Sequence, residues 1–429
     1  MSVTAEQLMT FLTGGEVDDD VRRGIHRERQ DANSSVSLVL QEIGRRSGSA
    51  LREIDCWAVL KRQRELETQF QAEVATRVEE MTQQADALGD AMQLMEALIL
   101  AYEAEKLSFG TFGDNHEYTG RCHSVLGKLL MLAFKSDEAE HHLEKAMDIF
   151  RSVFAEGDPR VAIVGGQLGT LYAACGNIGE GQQLLSEAVE ACRRGIGEES
   201  LPFAAFAGSL ASSYTMTGQY PEAESLAKES LGVLSTLFGE NDPRTASGWI
   251  KLGHLYSVQE RYEEAERCWQ AAIGAFQASQ GEAHPGFGRA LVGLADVYHS
   301  LDRYEEAERL TIRGAEVMQS ALGDEHPRFA GAICQLGEIY CSMSRYEEAE
   351  NLLKEGTRRL LAVFGEGHVM VAGGLMALGA LYYARENWTE ARSCWSDGLR
   401  QLHESLGADS AYVAALNYNM SLVLDRQGE

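Results

Sequence analysis

Apolar positions in residues 160–201 fall into two runs of helical spacing. The first opens at Arg160-Val161-Ala162, passes through Leu168-Gly169-Thr170-Leu171-Tyr172 and breaks at Gly176-Asn177. The second starts near Ile178, continues through Leu184-Leu185 and Ala188 towards Arg194, and stops at Gly195 and Gly197. Glycine suits such an ending because it accepts the left-handed backbone that closes many helices. The same grammar returns every 42 residues: Tyr262-Glu263-Glu264-Ala265-Glu266 recurs letter for letter at Tyr304 to Glu308 and at Tyr346 to Glu350. Degraded copies begin at Ser136, Ile178, Tyr220 and Trp388, in the same register. A fixed period in this range predicts stacked helix pairs that share one continuous core.

Small residues at fixed places explain how the two helices of a unit fit. Stepping from Gly169 by 42 residues gives Gly127, Ala211, Gly253, Ala295, Gly337, Gly379 and Ser421. The second-helix site gives Ala97, Ala139, Gly181, Ala223, Ala265, Ala307, Ala349 and Ala391. Such side chains let two backbones approach closely, and a ladder of Tyr172, Tyr214, Tyr256, Tyr298, Tyr340 and Tyr382 is expected to fill the seam. A bulky replacement such as Ala307→Leu is expected to overpack the contact by about 1–3 kcal/mol. Helix entries are marked by Asp158-Pro159, Asp242-Pro243, His284-Pro285 and His326-Pro327, with His116 and His368 in the same register. Proline loses nothing at the first helical position, and a polar residue before it caps the free amides. The repeated histidines read as turn and capping residues, since successive units hold them apart.

Residues 1–75 precede the clear repeat. Short helices are expected over Thr4 to Leu12 and over Ser34 to Arg46. From Ala50 the apolar residues Leu51, Ile54, Trp57 and Leu60, then Leu66, Phe70 and Val74, predict a long helix feeding the array. This segment reads as a helical extension and cap for an array over 76–429, or as a separate docking element. First helices are expected near 76, 118, 160, 202, 244, 286, 328, 370 and 412, giving eight pairs and one unpaired helix. The last first helix, Val413 to Asp425, is followed by the inter-helix turn Arg426-Gln427-Gly428-Glu429. Ending there leaves a half-repeat open, which predicts docking onto another chain or a further domain.

Composition sharpens the picture. Only six prolines occur in 429 residues, which suits an all-α chain. The net charge of −27 resides mainly in the repeat array, so broad binding to nucleic acid or to acidic membrane is disfavoured. No apolar run approaches a membrane span, and Met1 is not followed by a signal-type segment. The eight cysteines show no CxxC pair, consistent with reduced thiols in the cytoplasm.

The Leu-Gly-x-x-Tyr pattern followed by the second-helix alanine resembles a tetratricopeptide repeat, whose ordinary unit is about 34 residues. The longer period, with Gly-Glu-Ala-His-Pro at Gly281 to Pro285 and Gly-Asp-Glu-His-Pro at Gly323 to Pro327, is similar to the kinesin light chain subtype over roughly 76–429. The resemblance implies a right-handed superhelix whose concave wall, lined by first helices, holds peptides or a partner helix. Light-chain repeats usually carry Asn before the Leu of the Leu-Gly pair. Here that register reads Val125, Gln167, Ser209, Lys251, Gly293, Gln335, Ala377 and Asn419, so only Asn419 keeps it. No heptad coiled coil for a motor chain is present either. Related arrays are fused to effectors such as caspase-like proteases and nucleotide-binding switches.

Catalytic patterns are missing from the sequence. There is no GxSxG and no HExxH, and the glycines of Gly120 to Lys128 have the wrong spacing for a phosphate loop. Neither a cofactor nor a metal site is indicated. If first-helix residues project inward, the central wall carries Lys251, His254, Arg289, Asp296, His299 and Glu338, with Ile250, Val292, Cys334 and Cys341 among them. Arg121 and Lys128 fall nearer the start, and Tyr383 and Asn419 nearer the end. His254, Asp296 and Glu338 share one register. The wall is therefore expected to bind a protein or peptide partner bearing charges of both signs, without catalysis. The acidic exterior is expected to steer basic partners. The alternative expectation is a regulatory sensor or inhibitory arm of a larger effector, docked through the N-terminal helices or the open C-terminal half-repeat.

Overall fold

A computed structural model describes residues 53–90, 93–155, 157–406 and 411–427, and its regular elements are all helical. The helices expected over Thr4 to Leu12 and Ser34 to Arg46, and the turn residues Gly428 and Glu429, lie outside the described residues. In chain order the helices are α1 (Glu53–Asp90), α2 (Leu94–Phe112), α3 (Glu117–Leu132), α4 (Ser136–Val153), α5 (Pro159–Cys175) and α6 (Ile178–Ala191). They continue as α7 (Leu201–Met216), α8 (Tyr220–Phe238), α9 (Pro243–Val258), α10 (Tyr262–Ser279), α11 (Pro285–Ser300) and α12 (Tyr304–Leu322). The last are α13 (Pro327–Ser342), α14 (Tyr346–Phe364), α15 (Val369–Ala384), α16 (Trp388–Leu406) and α17 (Ala411–Gln427). From α3 onward the first helices open 42 residues apart, and from α2 onward so do the second helices. Helix α17 extends past Asp425, so Arg426 and Gln427 are helical and not part of a turn.

The chain divides into two compact units, Met1–Leu129 and Leu130–Glu429. In the first, α1 is a single helix of 38 residues that runs unbroken across residue 75. It packs on α2 around Val74, Val78, Ala85, Ala97, Ala101 and Ala104. Helix α2 also carries an apolar face to solvent, with Met95 71%, Ile99 54% and Phe109 52% exposed.

The second unit is a solenoid of consecutive helix pairs. Its second-helix alanines Ala139, Ala223, Ala265, Ala307, Ala349 and Ala391 are all fully buried. The facing first-helix site shows a size rule. Its partner lies 16 residues on, and where the first helix has glycine the second brings a large side chain. A Cβ added at Gly253 would stand 2.9 Å from the Trp269 ring, and one at Gly337 would stand 2.7 Å from Leu353. Gly379 faces Trp395 in the same way. Where the first helix has Ala211 or Ala295, the equivalent second-helix residues are the small Ala227 and Thr311. Trp269 is wedged, because its other edge lies 2.5 Å from a Cβ built on Gly293.

The tyrosine ladder does more than fill the seam. Tyr256 donates to Glu224 at 3.0 Å, Tyr298 to Glu266 at 2.8 Å and Tyr382 to Glu350 at 3.1 Å. Each acceptor is the last glutamate of the preceding unit's Tyr-Pro/Glu-Glu-Ala-Glu segment. Arg261, Arg345 and Arg385 reach those or equivalent glutamates (Glu224, Glu308 and Glu350) at 2.6–2.8 Å. Arg261, Arg303 and Arg345 also lie over the Tyr256, Tyr298 and Tyr340 rings, at 4.3, 3.8 and 3.7 Å. The recurrent motif is thus an inter-unit clasp of charge-assisted hydrogen bonds and cation–π contacts.

One contact spans most of the second unit. Phe134, with φ of 57°, presents its ring edge-on to His326 at 5.2 Å and to Phe364 at 5.7 Å. Phe364 in turn stacks on His368 at 3.9 Å.

Candidate functional site

Helix entries position the inner wall. Asp158 and Asp242 accept from the amides of Arg160 and Arg244, both at 2.9 Å. At His284, His326 and His368, Nδ1 takes the same role, accepting at 3.0, 3.1 and 3.2 Å. His116 accepts from Tyr118 at 3.3 Å. The histidines are therefore caps, as the register implied. An accepting Nδ1 must be unprotonated, and burial pushes His326 down to about 4.

First helices of neighbouring pairs touch one another along the unit: α5 meets α7, α7 meets α9, α9 meets α11, α11 meets α13 and α13 meets α15. That places them on the inside of the curvature. Their shared face carries Lys251 and His254 on α9, Arg289, Asp296 and His299 on α11, and Glu338 on α13. Lys251 lies back over α7, its Nζ 2.5 Å from where a Cβ on Gly208 would stand, so glycine leaves the room it occupies. Arg289, Asp296, Glu338 and His254 are exposed to water, while Lys251 is partly covered.

Enclosure by the walls still disfavours charge here. Desolvation, then the field of Arg289, lowers Lys251 to about 8. Desolvation, then Arg328, lowers Arg289 to about 10. The surrounding helices partly desolvate the exposed Asp296 and raise it, and the same desolvation followed by the Asp296 charge raises Glu338 to about 7. His254 and His299 are both held below the usual histidine range, chiefly by the desolvating bulk of the neighbouring helices. His299 Nε2 shares a 2.8 Å hydrogen bond with Ser342 Oγ. Among the described residues, the side chains of Lys251, Arg289, Asp296 and Glu338 form no ion pair or hydrogen bond with one another or with other protein groups.

The remaining expected site residues behave differently. In the first unit, Arg121 pairs with Glu79 at 2.9 Å and Lys128 with Asp86 at 3.1 Å. Tyr383 packs its ring against Trp388 and Trp395, with centroids 5.0 and 5.8 Å apart. Asn419 is half-buried on α17. Sequence reasoning missed Arg328. The signal was the contrast between Asp-Pro-Arg at 158–160 and 242–244 and His-Pro-Arg at 326–328. Arg160 and Arg244 pair with their capping aspartates at 2.9 and 2.8 Å. Arg328 has a neutral imidazole in that place; desolvation lowers its pKa, and its charge acts on Arg289.

Among the described residues no group of three or more His, Cys, Asp or Glu side chains could hold a metal ion, and no helix is long and apolar enough to cross a membrane. Cys122, Cys175, Cys192, Cys268, Cys334, Cys341 and Cys394 are free thiols.

A tetratricopeptide-repeat family model matches residues 202–278, 244–311 and 286–362, windows that step by the period of the helices. No curated protein matches the chain. Among solved structures, the chain is similar to a Rap protein complexed with competence and sporulation factor, at 13% identity and TM-score 0.56, over 82% of this chain and 99% of that one. It is similar to NprR in complex with its cognate peptide NprX, at 12% identity and TM-score 0.56, over 82% and 98%. A crystal structure of a putative kinesin light chain from Podospora anserina with nearly identical TPR-like repeats aligns over 49% of this chain and 99% of that one, at 19% identity and TM-score 0.40.

Proposed function

We propose that this tetratricopeptide-repeat protein, whose long unit is of the kinesin-light-chain-like subtype, is a non-enzymatic cytoplasmic scaffold that binds a peptide or partner protein along its inner wall. One observation carries the reading. The inter-unit clasps pair almost every charge they use, whereas the wall at Lys251, Arg289, Asp296 and Glu338 holds ionisable groups that find no protein partner among the described residues. Water-exposed charges without a protein partner are free to meet a ligand carrying the opposite sign. The arrangement is therefore one for recognition, with first helices as a rigid backing. The Rap and NprR structures, which carry a factor and a cognate peptide, support the same use of a similar fold. The helical segment before residue 76 serves as extension and cap, and the array proper is 76–429.

Recovery of partners from cells on the intact protein, followed by mass spectrometry, tests this. Wild type is expected to retain a set of partners that the Arg289→Glu variant loses. Equal recovery by both would move recognition off the inner wall. A second reading, a regulatory arm of a larger effector, draws on the apolar face of α2 and on Tyr418, 65% exposed on α17. One stoichiometric effector, unaffected by Arg289→Glu, is its signature.

A further inference from the structure

We propose that the wall formed by α9, α11 and α13 reads a peptide of segregated charge, with an acidic residue on Lys251, Arg289 and Arg328 and a basic residue on Asp296 and Glu338. This rests on the groove reading above and names the chemistry of its ligand. On α11, Arg289 precedes Asp296 by seven residues, two helical turns, so both project from one face about 10 Å apart along the axis. On α13, Arg328 precedes Glu338 by ten residues, about 15 Å. Each helix therefore sets its cation towards its N-terminus and its acid towards its C-terminus. Lys251, on α9, stands one helical turn past Arg289's level with its Nζ lying back beside Gly208 of α7, and the field of Arg289 reaches it, as that of Arg328 reaches Arg289. Asp296 and Glu338 couple across α11 and α13.

Stability does not explain this order. The helix macrodipole favours acids at the N-terminus and bases at the C-terminus, and Arg328 at the second position of α13 and Glu338 near its end oppose it. Nor is the wall self-neutralised. Interleaved opposite charges pair up, as Arg121–Glu79 and Lys128–Asp86 do in the first unit. Here like charges stand side by side, and the basic group beside Asp296, His299, is held neutral and already bonded to Ser342. A ligand with one sign of charge would satisfy one rim and be repelled by the other. An extended peptide rises about 3.3 Å per residue, so rims 10–15 Å apart match an acid and a base separated by roughly three to five positions.

The test is panning of a random 12-residue peptide library, displayed on phage, on the intact protein and on Arg289→Glu and Asp296→Lys, with helix content checked by circular dichroism. Wild type is expected to enrich peptides carrying one acidic and one basic residue at that spacing. Arg289→Glu is expected to lose the acidic preference and Asp296→Lys the basic one. A synthetic peptide from the wild-type pool should bind Arg289→Glu about tenfold or more weakly. Enrichment without paired charges, or a preference that neither variant changes, would overturn the charge-segregated reading and leave peptide binding intact. No enrichment on the wild type would remove both.

Discussion

Replacing Gly253 by alanine tests the size rule that joins the helices of a unit. The new methyl stands 2.9 Å from the Trp269 ring, closer than packed carbons tolerate. The indole cannot retreat, because its far edge lies against Gly293 of α11. Trp269 is 5% exposed and donates to Ser257 at 3.3 Å, so moving it disturbs two helices and a hydrogen bond. Overpacking of this kind costs about 1–3 kcal/mol, and a wedged ring belongs to the upper half. Alanine in a helix interior returns about 1 kcal/mol relative to glycine. The expected net destabilisation is therefore about 1–2 kcal/mol. In a Trp269→Thr background, the pairing seen naturally at Ala295 and Thr311, the clash vanishes and Gly253→Ala is expected to stabilise by about 1 kcal/mol. The coupling between the two sites is then about 2–3 kcal/mol. Urea unfolding of the four proteins gives that number. Hydrogen exchange of α9 and α10 amides guards against piecewise unfolding, to which repeat arrays are prone. A coupling near zero would refute the complementarity.

Three further expectations follow from the same geometry. His326 caps α13 only while neutral, and its folded pKa of about 4 lies below the ordinary histidine value near 6.5, so the unfolded chain takes up a proton that the folded one refuses. Stability should fall as pH drops from 6.5 towards 4, and His326→Asp, the residue at Asp242, should flatten that slope in thermal melts. Glu224 accepts from Lys228, Arg261 and Tyr256, which holds its carboxyl down at about 2; Glu224→Gln should cost about 1–2 kcal/mol in urea unfolding, and an unchanged midpoint would count against the clasp. Glu338, held up at about 7 by partial desolvation and by Asp296, with Cys334 and Cys341 also within its field, ionises fully only above neutrality. Affinity for a basic group there should rise as pH increases through 7, and Glu338→Gln should abolish the rise in fluorescence anisotropy titrations.

Much of the fold was readable because period, helix caps and small contact residues are local signals. The entry prolines mark the starts of α5, α9, α11 and α13, and the alanine series marks the buried seam. The size rule was present as letters, Gly253 with Trp269 against Ala295 with Thr311, but its meaning needed the offset of 16 residues to become a contact. The Tyr–Glu–Arg clasp stayed hidden because its members lie in different units. That Lys251, Arg289, Asp296 and Glu338 stand on first helices was readable from register alone. Arg328 was not singled out, because it differs from Arg160 and Arg244 only in having a histidine, not an aspartate, as the helix cap beside it. Tyr383 shows the opposite limit: its register points inward, while its ring meets the bulky Trp388 and Trp395.

The ring contact of Phe134 with His326 and Phe364 changes what kind of object the second unit is. A row of modules that each touch only their neighbours behaves like a zipper and frays from an end. Here residues 230 positions apart are fastened together, so loss of an intervening module also strains the fastening. Closing so long a span is entropically expensive for a loose chain, at a cost growing with the logarithm of its length, yet nearly free once the four helix pairs α5–α12 between them are stacked. The fastening should therefore form late and then fix the pitch of the coil, and with it the bore available to anything lying inside.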